Sequence, residues 1–160
     1  GRIQELTREL YMACMEGEQI GVICGTDRRM YRSLLQEFGE EKDIHILGYT
    51  DQVALWLDAS DVVYTKPGGL TSTEALVRHV PIVHTAPIPG CETKNAEFFA
   101  RRGMSVQAKT VREQVEAGMK LLYDPGMRGS MEQAQRENSF PRASLEIFHL
   151  MESICRRERT

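Results

Sequence analysis

The residues best equipped for chemistry fall in two short stretches. Lys66-Pro67-Gly68-Gly69-Leu70-Thr71-Ser72-Thr73-Glu74 combines paired glycines, hydroxyls, a cation and a carboxylate. Paired glycines let the backbone approach a ligand closely and adopt positive φ. A helix opening beside them presents free N–H groups and a positive dipole end. Such a loop suits a diphosphate, with Thr71 and Ser72 donating hydroxyl bonds and Lys66 adding charge. Glu74, one turn into the helix, is placed to accept both hydroxyls of a ribose. A structural reading competes: Thr71-x-x-Glu74 also fits a capping box, in which Glu74 only returns a bond to the Thr71 backbone. In the second stretch, Pro87-Ile88-Pro89-Gly90-Cys91-Glu92-Thr93-Lys94-Asn95-Ala96 brings a carboxylate, an amide and a cation to a rigid turn. Short polar side chains of this kind read sugar hydroxyls. Here too a bland alternative exists, with Glu92 or Thr93 capping the next helix.

Other motifs are excluded or weak. No Gly-Lys-Ser/Thr follows the glycines, so the first stretch is not a Walker loop, and residues 21–25 lack a dinucleotide fingerprint. There is no Asp-x-Asp pair to hold a metal. His45 and His149 read as packing or surface residues, and His79 falls in the last turn of a helix, where a cation is favourable. His84 ends a strand on the ligand rim, with a structural role preferred. Cys91 precedes a helix, where a thiolate is favoured, but no histidine stands at a recognisable spacing. Arg28 and Arg29 read as a solvated helix start.

Alternating patterns position these stretches. Apolar runs at 19–24, 44–47, 61–64, 81–84 and 104–107 predict strands, most closed by Gly or Pro turns. Helical periodicity predicts helices over 3–15, 30–38, 53–59, 72–79, 93–101, 111–123, 127–137 and 143–157, with breaks at Pro125 and Pro141. Strand–helix alternation implies parallel pairing with right-handed crossovers, and strand runs apolar on both faces imply helices on both sides. The expected class is α/β, a Rossmann-like doubly wound parallel sheet. Ligands bind outside the carboxyl ends of such strands, so loops beginning at Gly25, Gly48, Lys66 and Thr85 share one rim.

Composition narrows the classes further. A length of 160 residues fits one domain, and 41% apolar with 27% charged residues is a globular balance. The net charge of −3 gives no general attraction to nucleic acid, and the one basic cluster is Arg156, Arg157 and Arg159 near the end. No apolar run approaches the roughly 20 residues of a membrane span, and no signal peptide is visible, so a cytoplasmic location is expected. Four widely spaced cysteines signal neither zinc nor disulfides.

The series from Thr65 to Leu76, then Val80-Pro81-Ile82-Val83, then Pro87 to Phe99, resembles the donor-binding, C-terminal half of a GT-B glycosyltransferase. The branch it is most similar to holds processive diacylglycerol glucosyltransferases and monogalactosyldiacylglycerol synthases (glycosyltransferase family 28-like). The lipid-linked N-acetylglucosaminyltransferase of peptidoglycan synthesis is a more distant relative. Gly48-Tyr49-Thr50-Asp51 matches the turn this branch uses beside uracil, and the likeness runs from about Ile20 to Met104.

The resemblance implies roles by position. Glu74 holds the UDP ribose; Gly68, Gly69, Leu70 and Thr71, with Lys66, hold the diphosphate; the Tyr49 and Thr50 main chain pairs with uracil. Cys91, Glu92 and Asn95 face the donor sugar, Cys91 standing where the branch usually has Gln. It further implies inverting transfer of a hexose from UDP-glucose or UDP-galactose to a lipid, diacylglycerol foremost, without cofactor or metal, at the inner face of the cell membrane. The base and the acceptor site belong to an N-terminal domain absent from this chain. The chain itself is expected to bind nucleotide without transferring sugar, its last helix packing toward the missing half. Alternatives are N-acetylglucosaminyl transfer to a lipid-linked acceptor, UDP-sugar epimerisation, or a non-catalytic UDP-sugar-binding module.

Overall fold

A computed structural model describes residues 2–88 and 90–157, with the backbone alone at Cys91 and Arg157. The order is α1 (Arg2–Ala13), β1 (Ile20–Ile23), α2 (Arg28–Phe38), β2 (Ile44–Leu47), α3 (Val53–Asp58), β3 (Val63–Thr65) and α4 (Gly69–Arg78). It continues with β4 (Ile82–His84), α5 (Cys91–Arg101), β5 (Val106–Gln107), α6 (Val111–Tyr123), α7 (Pro125–Asn138) and α8 (Ala143–Arg157).

All strand pairs are parallel, as the alternation requires. The ladder is divided, however: β1 pairs β2 in one sheet, and β3, β4 and β5 follow in that order in another. With strands of two to four residues, helix packing carries the join. α1 lies against β1, α2 and α6, Tyr123 of α6 donates to the Glu18 carboxylate beside β1, and the Trp56 ring of α3 covers Gly21 of β1. A Cβ on Gly21 would stand 2.8 Å from that ring, so the close approach requires glycine.

The second sheet is covered on both faces. Successive β4 side chains point opposite ways. Ile82 accordingly joins a cluster with Leu57, Ala75, Leu76, Phe99 and Met104, while Val83 joins one with Ala108, Ala117, Leu121 and Met131. A third cluster, Val22, Cys24, Leu34, Phe38 and Ile44, fills the β1–β2 side. Tyr64 of β3 presses its ring against α6, where Gly118 leaves the room. On α7, Gln135 is fully buried and its Nε2 donates to the Val80 and Met104 carbonyls at 2.9 and 3.0 Å. By contrast, Leu145, Phe148, Leu150 and Met151 of α8 are each more than half exposed, and no described α8 side chain joins a core cluster.

Several boundaries move from expectation for local reasons. The break expected at Pro125 does separate α6 from α7, but α7 starts two residues early: Pro125 occupies its first position, where its missing N–H costs nothing, with the Asp124 carboxylate capping the Gly126 and Met127 amides. His79 lies beyond the last turn of α4, at its C-cap, in the left-handed region (φ 57°). Val80 N donates to Ala75 O there, in the manner of a Schellman turn. Helices α4 and α5 begin earlier than the periodicity indicated, at Gly69 and Cys91. Both shifts bear directly on the site.

Candidate functional site

The first stretch of interest leaves β3 at Thr65. Gly68 N donates to Lys66 O at 2.7 Å around buried Pro67, a one-residue reversal that delivers the chain into α4 at Gly69. The expected positive φ at Gly68 and Gly69 does not occur: Gly68 is extended (φ −74°, ψ 152°), and Gly69 is a helical residue outside the left-handed set. The proline supplies the turn, so the glycines are not needed for it. A Cβ built on Gly69 would meet nothing within 4 Å, so this side of the α4 entrance stands open. No side chain among the described residues caps α4, leaving its first-turn N–H groups open at the positive end of the helix.

The capping-box alternative is thereby settled. Thr71 lies within the first turn of α4 and does not precede it, and neither Thr71 nor Glu74 makes a hydrogen bond or ion pair among the described residues. The real capping box of the chain is Thr110 with Glu113 at the start of α6. Glu74 is exposed, one turn in from the open amides. Leu70 projects into solvent at 83% exposure, and Thr73 Oγ1 returns to Gly69 O at 2.6 Å.

Ser72 points the other way. It is fully buried and its Oγ lies 3.0 Å from Nε2 of His84, the last residue of β4, itself buried and edge-on to Phe99. Ser72 therefore fastens the start of α4 to the sheet and does not donate outward. The signal was present in the sequence, since Ser72 stands three and four residues before the buried Ala75 and Leu76 and so shares their face. Burial lowers the His84 pKa to about 4, and its Nδ1 has no partner. The imidazole is neutral when folded but would take up a proton near pH 6.5 when unfolded. Between those values the unfolded chain binds more protons, so stability present above pH 6.5 is lost as pH falls toward 4, by up to about 3 kcal/mol. Urea unfolding from pH 7 to pH 4.5 should therefore be steeper in pH for the wild type than for His84→Gln; parallel curves would contradict the assignment.

The second stretch leaves β4 at His84 and enters α5 through Gly90, whose φ of 106° does require glycine. Pro89 and the Cys91 side chain lie outside the described residues. Glu92 and Asn95 sit on the first turns of α5 and not on a loop. Glu92 Oε2 accepts from Ile88 N at 2.6 Å, and Oε1 lies 3.6 Å from Lys66 Nζ. Asn95 Nδ2 donates to Pro67 O at 3.0 Å. The two stretches are thus bonded to each other at both Lys66 and Pro67. Among the described residues, no bond or ion pair links them to the third loop, where Tyr49 is 78% exposed and Thr50 Oγ1 accepts from Gln52 N at 3.1 Å.

Other sequence candidates resolve simply. Arg28 opens α2 on the surface, whose cap is the Asp27 carboxylate accepting from Met30 N at 2.9 Å. His45 bonds Gln19 and leans on Trp56, and His149 is an exposed neighbour of Glu152. Of Phe98 and Phe99, the second is core, and the first carries the Arg102 guanidinium 3.9 Å above its ring. Arg159 lies outside the described residues. Among the described residues no cluster of three His, Cys, Asp or Glu side chains could hold a metal, and no helix is long and apolar enough to cross a membrane.

The sequence model of the family described as "Glycosyl transferases group 1" matches residues 6–138. A processive diacylglycerol beta-glucosyltransferase of Staphylococcus carnosus is 34% identical over 84% of this chain and 35% of its own. That of Staphylococcus saprophyticus is 33% identical over 81% and 33%. The chain therefore spans about a third of the length of these curated relatives. Among solved structures, Acinetobacter baumannii MurG superposes with a TM-score of 0.74 at 20% identity, over 95% of this chain and 46% of its own. A Listeria monocytogenes protein described as a UDP-N-acetylglucosamine 2-epimerase does so with 0.77 at 18% identity, over 98% and 41%. These structural likenesses identify the α/β fold of GT-B glycosyltransferases.

Proposed function

The chain belongs to the glycosyl transferases group 1 family, and from that premise we propose that it binds the UDP-sugar donor of an inverting, metal-independent hexosyltransferase acting on a lipid, diacylglycerol foremost. One observation carries this reading: the uncapped start of α4 and the unbonded Glu74 carboxylate share one helix, a spacing suited to a diphosphate followed by a ribose. The acceptor preference is drawn from the names of the relatives at 33–34% identity. The same fold also serves an epimerase, but that neighbour is far more distant in sequence.

In this reading Gly69, Leu70 and Thr71 offer backbone N–H groups and the Thr71 hydroxyl to the diphosphate, Gly68 lies alongside with its own N–H held by Lys66 O, and Lys66 supplies counter-charge. Glu74 accepts the ribose hydroxyls, and the Tyr49–Thr50 main chain faces uracil. Glu92 meets the sugar, with Cys91 and Asn95 beside it. An acceptor hydroxyl attacks the anomeric carbon as UDP departs. The charge growing on the leaving diphosphate is met by the α4 N-terminus, stabilisation of the oxyanion type. The base would come from the remainder of the parent enzyme.

Calorimetric titration tests the donor site. UDP should bind at least about ten-fold more tightly than ATP, a margin of about 1.4 kcal/mol that main-chain pairing to the base can supply. UDP-glucose or UDP-galactose should bind no more weakly than UDP. Equal affinity for UDP and ATP would refute the assignment.

A further inference from the structure

Lys66 and Glu92, assigned above to different parts of the donor, are paired with each other in the structure. They are not equally held. Glu92 is only 19% exposed, sits in the first turn of α5 where the helix dipole favours an anion, and accepts from Ile88 N at 2.6 Å. The Lys66 side chain is 58% exposed and reaches Glu92 at 3.6 Å, beyond good hydrogen-bond distance, with no other partner among the described residues. The backbone beneath it is fixed, because Asn95 Nδ2 holds Pro67 O and Gly68 N closes on Lys66 O. If the pair opens, the mobile part is the Lys66 side chain alone.

We infer that the Lys66–Glu92 ion pair is exchanged on ligand binding and couples diphosphate capture to recognition of the sugar. A nucleoside diphosphate at the α4 N-terminus offers more negative charge than one carboxylate, so it draws Lys66 across. Glu92 stays where Ile88 holds it, and its Oε1 loses its cation and becomes free to accept a sugar hydroxyl. UDP alone therefore loses an existing contact on binding, whereas a UDP-sugar replaces that contact with a new hydrogen bond. The pair acts as a discriminator in favour of the complete donor.

This inference rests on the UDP-sugar reading, and the test separates the two. UDP and UDP-glucose are titrated into the wild-type chain, Glu92→Gln, Lys66→Met and the double variant, with thermal melts to confirm folding. Glu92→Gln should tighten UDP about three-fold, the scale of an exposed ion pair released, while lowering the ratio of UDP-glucose to UDP affinity. In the Lys66→Met background the same substitution should leave UDP affinity unchanged. If Glu92→Gln tightens UDP equally in both backgrounds, the carboxylate merely repels the ligand and the exchange is refuted. Weaker UDP binding in Glu92→Gln would refute it too. Glu74→Ala is the separate control: if it leaves UDP affinity intact, or the wild type binds no UDP, the donor-site reading fails and this inference with it.

Discussion

Replacing Glu74 by alanine should weaken UDP binding about 100-fold without lowering the melting temperature. A carboxylate accepting two ribose hydroxyls makes two charge-assisted hydrogen bonds, each worth about 1.5–3 kcal/mol at most, and a combined loss near 3 kcal/mol is about two orders of magnitude in Kd. The folded state has little to lose. Glu74 is exposed, bonds to nothing among the described residues, and stands inside a helix, where alanine is the best-tolerated residue. Glu74→Gln should fall between, since an amide keeps one acceptor oxygen without the charge. Calorimetry with UDP beside a thermal melt distinguishes this from general damage: a fall in melting temperature that tracks the loss of affinity would make Glu74 structural. Unchanged affinity would leave the ribose without its acceptor and the site without its central residue.

The second large effect is one of stability, far from any ligand. Gly118→Ala should destabilise the fold by about 3 kcal/mol or more, although alanine in a helix is normally worth about 1 kcal/mol over glycine. A Cβ at 118 would lie 1.5 Å from the Tyr64 hydroxyl oxygen and 2.4 Å from Cζ, a separation no small adjustment relieves. Tyr64 cannot easily retreat, because it packs against the buried cluster that Val83, Ala108, Ala117, Leu121 and Met131 form. Overpacking a close-packed interior commonly costs 1–3 kcal/mol, and the depth of this overlap puts it at or beyond the upper end. Urea unfolding should show the loss, and Tyr64→Leu in the same chain should recover much of it by removing both clashing atoms. Additive destabilisation in the double variant would show that the contact is not the cause. Because Tyr64 immediately precedes Thr65 and Lys66, the displacement should also be felt at the α4 entrance.

Much of this was legible in the sequence, and what was not follows a pattern. Short apolar runs closed by turn residues located every described strand to within two residues, although β1 proves half-exposed and only the second sheet is covered on both faces. The entrance to α4 was misjudged: adjacent glycines suggested left-handed backbone, but Pro67 already fixes the reversal and Gly68 runs extended. Residue type alone does not say which of two neighbouring turn formers makes the turn. Long-range polar contacts were similarly hidden. Nothing local announces that Asn95 will bond Pro67 O, or that Lys66 will find Glu92, since both depend on how β3 and β4 align in register. Ser72 and Gly118 lay between these extremes. Helical spacing placed Ser72 on the buried face, whereas a glycine mid-helix carries no sign of the ring that needs its space.

Gln135 sets a lower limit on the length of chain that can work. Its one amide nitrogen serves two carbonyls, at the entrance to β4 and just ahead of β5. A chain truncated before Pro125 would leave both acceptors stripped of their donor in an apolar interior and would lose Met131 from the core. A cut after Asn138 removes no core residue among those described, since α8 contributes none of them. Among the described residues the packed core therefore ends with α7, the element whose last residue is also where the family likeness stops. Inheritance and mechanics agree on that boundary, and grafting or dissection of this domain is best planned around it.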